Sequence, residues 1–152
     1  MSHPLAFANQ HLYSANILLA AWHRTLSEQE APAAQVNQAF AGAVQARLLD
    51  GYGWLLLTAC RIRQAPERPP HSVDDLPPLP AGLVRPAEVQ ACAQLEMDGW
   101  LAALKKRLPD SPSVRRAGSL AQEVDLAIEQ FIDWSQQLEL LSQQIADNVD
   151  ES

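Results

Sequence analysis

The groups in this chain that could ligate a metal, move a proton or attack a carbon centre are four histidines, two cysteines and eighteen carboxylates. Their spacing assembles none of the common sites. His11 and His23 are twelve residues apart, which on a helix separates them by about 18 Å along the axis and a third of a turn around it. His3 and His71 fall outside the stretches that read as helical. No Glu-x-x-His pair occurs, so the carboxylate-bridged di-iron centre found in some helical bundles is not expected. The Arg-x(4 to 6)-His spacing of helical RNA-cleaving bundles is absent as well. Asp50-Gly51-Tyr52-Gly53 contains a GxG, but it lacks the third glycine and the preceding strand that a phosphate cradle needs. No GxSxG nucleophile elbow is present. The expectation is a protein without enzymatic activity, metal or cofactor.

Cys60 and Cys92 match no zinc or redox spacing and read as small buried hydrophobes of a reducing compartment. Their spacing leaves open whether they pair. The one concentration of positive charge is Lys105, Lys106, Arg107, Arg115 and Arg116. The first three sit at the end of a helical stretch, where the helix dipole favours cations. Arg115 and Arg116 precede the next helix and have no such explanation. These five residues are therefore the candidate partner-binding set, for an unidentified protein or for a second copy of the chain. Nucleic-acid binding is disfavoured, because the chain carries a net charge of −7 and no aromatic side chain accompanies the basic turn.

The elements that would position these groups are helices. Leu5, Ala8, Leu12, Ala15, Leu19, Trp22 and Leu26 recur at spacings of three and four, as do Leu120, Val124, Ala127, Phe131, Trp134, Leu138, Leu141 and Ile145. A second segment, 33–63, carries Val36, Phe40, Val44, Leu48, Gly51, Leu55, Ala59 and Ile62, and a third, 87–108, carries Val89, Ala93, Met97, Trp100 and Leu104. Between residues 65 and 86 lie seven of the eleven prolines, which no helix interior tolerates. The reading is all-α: a single domain, 1–152, folded as an antiparallel four-helix bundle in up-down-up-down order. A long Pro-rich connection links helices two and three, and Leu76, Leu79, Leu83 and Val84 pack it down as a strap. Ser119 is the expected N-cap of the fourth helix. That helix should run to about residue 148 and end in an acidic frayed tail.

Residues 119–152 carry eight acidic side chains and no basic one, which reads as a solvated helix face. The longest unbroken apolar run, near Trp54 to Cys60, is far short of the roughly 20 residues of a bilayer span. No secretory signal is evident at the N-terminus, so a cytoplasmic protein is expected. Trp22, Trp54, Trp100 and Trp134 fall one per segment and read as core. Gly51 and Gly99, inside helical segments, each cost about 1 kcal/mol against alanine, and are expected to open slots for a tryptophan or a close helix crossing.

Asn9-Gln10-His11-Leu12-Tyr13-Ser14-Ala15 with Trp22, then Gly53-Trp54-Leu55-Leu56-Leu57, Gly99-Trp100-Leu101, and Trp134 ahead of Leu138 and Leu141 resemble a family of small helical proteins from pseudomonads and related gammaproteobacteria. That family is a domain of unknown function with no assigned activity. The resemblance implies a bacterial, cytoplasmic helical domain and supplies no site residues. The functional expectation is a non-enzymatic protein-protein interaction or scaffold module. The alternative is a small-molecule binder with a tryptophan-lined pocket between helices.

Overall fold

The computed structural model describes residues 3–79, 81–109 and 126–150. Among these residues all regular structure is helical: α1 Pro4–Glu28, α2 Ala33–Ala59, α3 Ala87–Asp98, α4 Trp100–Leu104 and α5 Ile128–Asp150, with one turn of 3-10 helix at Val73–Asp75. No described helix is long and apolar enough to cross a membrane.

The first segment folds as its periodicity dictates. Pro4 opens α1 at a position where its missing N–H costs nothing, and the His3 ring nitrogen Nδ1 accepts from the Leu5 N–H at 3.3 Å. Ala8, Leu12, Ala15, Leu19 and Trp22 are buried. Gln29 takes a left-handed conformation that closes the helix and turns the chain into α2. The Trp22 indole N–H donates to Asn37 Oδ1 at 2.9 Å, and Phe7 packs on Trp54 with ring centroids 4.8 Å apart, so α1 and α2 run antiparallel. Phe40, Trp22, Phe131 and Trp134 form a chain of ring contacts at 6.1, 5.1 and 4.9 Å. That chain joins α2, α1 and α5 through one aromatic core.

A second seam between α1 and α5 is polar. The Ser142 hydroxyl donates to Asn9 Oδ1 at 3.2 Å and the Ser135 hydroxyl to Asn16 Oδ1 at 2.8 Å. Asn16 in turn donates to Glu139 at 2.6 Å. Asparagines seven residues apart on α1 meet serines seven apart on α5 in reverse order, which fixes an antiparallel register. Each pair also satisfies a buried serine hydroxyl that an apolar neighbour would leave without a partner.

Several expected boundaries need correction. The second segment was expected to reach residue 63, but α2 ends at Ala59: Arg61 adopts φ 58 and the Ile62 N–H reaches back to Leu57 O at 3.1 Å, a Schellman closure. The third segment was expected to be continuous over 87–108. It breaks at Gly99, an extended residue between α3 and α4, whose own Cβ, if present, would lie 2.6 Å from the Leu95 side chain. Gly99 therefore opens no slot for a tryptophan. Met97, expected on the buried stripe, is 78% exposed, because the face α3 buries runs through Val89 and Cys92 to Glu96. In the strap, Leu76 packs against the core as expected, Leu83 and Val84 are exposed, and Val73 supplies a further, buried anchor. The expected cap Ser119 lies outside the described residues, but Leu126 and Ala127, expected inside the fourth helix, are described and are not helical, so α5 begins at Ile128.

Gln45 Nε2 donates to Leu104 O at 2.9 Å and Lys106 O at 2.7 Å, and Gln38 Nε2 to Pro109 O at 2.8 Å. With the Tyr52–Glu96 contact described next, these place α3 and α4 antiparallel to α2. They also satisfy the carbonyls left unpaired where α4 ends.

Candidate functional site

Four consecutive residues of α2 each hold a different part of the molecule. Asp50 accepts the His71 ring Nε2 at 2.7 Å, which ties down the strap. Gly51 faces Leu12 of α1, where an added Cβ would sit 3.1 Å from Leu12 Cδ2; this is the close helix crossing expected of that glycine. Tyr52 donates its hydroxyl to Glu96 Oε2 of α3 at 2.6 Å. Gly53 lies under the strap, where a Cβ would be 1.8 Å from the Pro70 carbonyl oxygen.

Glu96 is the polar centre of this arrangement, its side chain only 8% exposed. Its Oε1 accepts from the Ser72 hydroxyl at 2.7 Å and the Lys105 ammonium at 2.7 Å, and its Oε2 accepts from Tyr52 and from the Val73 N–H at 2.9 Å. Two carboxylate oxygens offer about four acceptor positions, and all four are filled. Burial pushes the acid up, but Lys105, Tyr52, Ser72 and the Val73 amide together outweigh it and hold Glu96 below its ordinary value. Burial first, then the carboxylate beside it, raises the Tyr52 phenol far above its usual range, so it stays a donor. Such a carboxylate has no acceptor position left for a substrate proton. What it can do is fasten α2, the strap and the α3–α4 unit to one point.

The expected basic set is spread over unlike environments. Lys105 is the ion-pair partner of Glu96. Lys106 gives its carbonyl to Gln45 and exposes its side chain. Arg107 lines a groove of about 380 Å³ with Gln38, Gln45 and Leu126. Arg115 and Arg116 lie outside the described residues.

Cys92 is buried and Cys60 half-buried, and both are free. Burial pushes both thiols up, Cys92 to about 11 despite the Tyr52 hydroxyl beside it, so neither is poised as a thiolate. His11 meets Arg47 at 3.3 Å, and burial with that guanidinium lowers its pKa even though Asp50 opposes the shift. Among the described residues no group of three or more histidine, cysteine or acidic side chains is placed to hold a metal. Trp22, Trp54 and Trp134 are buried. Of four surface grooves of about 230 to 380 Å³, none has a tryptophan in its lining.

Sequence reasoning passed over Glu96, Tyr52 and Ser72. A signal existed: Val89, Cys92 and Glu96 share one helical face at spacings of three and four, so a charged residue stands where the apolar pattern calls for a core side chain. The chain matches no protein-family model, no curated protein and no solved structure.

Proposed function

We propose that the chain is a non-enzymatic protein-interaction module, an up-down-up-down four-helix bundle of the bacterial cytoplasm, and that its docking surface is the outer face of α1. One observation carries the reading. From Pro4 to Trp22, α1 contains no Asp, Glu, Lys or Arg, although Ala6, Gln10, Tyr13, Ile17 and Ala20 face solvent. Tyr13 and Ile17, one turn apart, are 68% and 55% exposed. A solvated helix face ordinarily carries charges, as α5 does with Glu129, Asp133, Glu139 and Asp147. An uncharged strip, apolar but for Gln10 and with a tyrosine at its centre, has the composition of an interface core. The saturated Glu96 supports the non-enzymatic part of the reading, since this carboxylate, only 8% exposed, is consumed by structure.

The test is a photo-crosslinking amino acid placed at position 17, with position 144 on the acidic face of α5 as control. In host cells, position 17 is expected to give a defined adduct, either a homodimer or one heterologous product, that Tyr13→Glu abolishes. Equal labelling at positions 17 and 144, or an adduct indifferent to Tyr13→Glu, would contradict the reading.

A further inference from the structure

The two ends of the molecule differ. At one end the N-terminus of α1 meets the C-termini of α2 and α5 and the start of α3, and two grooves lie side by side there, each of about 230 Å³. His3, Thr58, Arg61, Ile62, Arg63 and Val149 line the first. Arg61 and Val149 continue into the second, together with Pro86, Ile145, Glu88 and Asn148. Each groove alone is smaller than the roughly 300 Å³ at which drug-sized ligand sites begin, and the two share Arg61 and Val149 in their linings.

The chemistry of the first groove is cationic in a chain of net charge −7. Among the described residues the ion pairs are His71–Asp50 and Lys105–Glu96, so neither Arg61 nor Arg63 has a carboxylate partner there. His3 is set as a donor. Its Nδ1 accepts from the Leu5 N–H, which places the ring proton on Nε2. Thr58 spends its hydroxyl hydrogen on Trp54 O at 2.8 Å and keeps its lone pairs. Ile62, Val149, Ile145 and Pro86 give the floor an apolar character. Among the described residues the carboxylate in the lining is Glu88, which stands in the second groove and is engaged by Asn148.

Arg61 also occupies a backbone conformation that suits glycine better. At φ 58 it is the left-handed residue of the α2 closure, a conformation in which a Cβ is strained relative to glycine.

We propose that this end of the bundle is a binding site for a small organic anion, a monophosphate ester with an apolar body. Its charged head meets the Arg61 and Arg63 guanidiniums and the His3 Nε2–H, and its apolar body lies along Ile62, Val149 and Pro86. Guanidiniums suit such heads because they present paired donors in the geometry of a carboxylate or phosphate.

The test uses phenyl phosphate, with inorganic phosphate and phenol as comparison probes, in calorimetric titration of the full chain at low salt. Phenyl phosphate is expected to bind saturably and more tightly than either comparison probe. Arg63→Gln is expected to weaken it at least tenfold with helical content unchanged. Arg61→Gly should also lose binding while raising the melting temperature, a pairing that a folding defect cannot produce. No saturable binding of phenyl phosphate at millimolar concentration, or equal binding by wild type and both variants, would overturn the proposal. The α1 face takes no part, so crosslinking at position 17 is unaffected by either outcome.

Discussion

Glu96→Ala is expected to destabilise the protein by about 3 kcal/mol, because several donors lose a charged acceptor at once while the Lys105 side chain, 30% exposed, recovers part of its loss in water. The change leaves the Lys105 ammonium, the Tyr52 hydroxyl, the Ser72 hydroxyl and the Val73 N–H without an acceptor at one point. Glu96→Gln keeps the size and one acceptor oxygen, so its loss should be smaller and should differ in pH dependence. The folded state holds the Glu96 carboxyl below its unfolded value. Its contribution is therefore fully present above about pH 4.3, the unfolded glutamate value, and is lost as pH falls through the lower folded value. Urea unfolding between pH 7 and pH 3 checks both points. Wild type should lose stability at the acid end more steeply than Glu96→Gln, and parallel curves would remove Glu96 from the account.

Gly53→Ala separates helix propensity from packing by the sign of its effect. Propensity alone credits alanine with about 1 kcal/mol at a helix interior position. The strap makes the change unfavourable here, because the new Cβ would lie 1.8 Å from Pro70 O and 2.9 Å from Pro69 Cβ. A backbone carbonyl cannot rotate away as a side-chain tip can, so the strap must lift. Overpacking of this kind costs about 1–3 kcal/mol, and the lifting strap strains the neighbouring His71–Asp50 and Val73–Glu96 contacts. Thermal melting should show a net loss, accompanied by faster proteolysis between residues 61 and 79. A gain in melting temperature would mean that the strap does not rest on Gly53.

These two changes fall on residues that the sequence treated unequally. The long stripes of α1 and α5 were legible because an apolar residue every three or four positions has one stable use, burial along a seam. Ala8, Leu12, Trp22, Phe131, Trp134 and Leu138 are all buried accordingly. The Pro-rich stretch announced where helix had to stop. The fastening at Asp50 to Gly53 was not legible, because its partners His71, Pro70 and Glu96 are about twenty to forty residues away in the sequence and no local spacing links them. Of the two uses expected for Gly51, a slot for a tryptophan or a close helix crossing, the structure shows the second, against Leu12 of α1. Gly99, chemically identical, proved to be a helix break, a distinction that rests on what lies beside each glycine. Lys105 was grouped with its basic neighbours by proximity in the chain, whereas its environment is set by a carboxylate nine residues back on the other side of that break. The Arg61 conformation was hidden for a related reason: an arginine gives no sequence sign of a left-handed closure that glycine usually marks.

The central claim is that a single carboxylate, held by Tyr52, fastens the strap and α3 to α2. Native-state hydrogen exchange at the Val73 amide tests it most directly, since that N–H sits in a Pro-rich connection and donates to Glu96 Oε2. If the strap is fastened, the Val73 amide exchanges only through large-scale unfolding, with protection comparable to the core amides of α2. Exchange at the rate of an unprotected loop amide would contradict the claim.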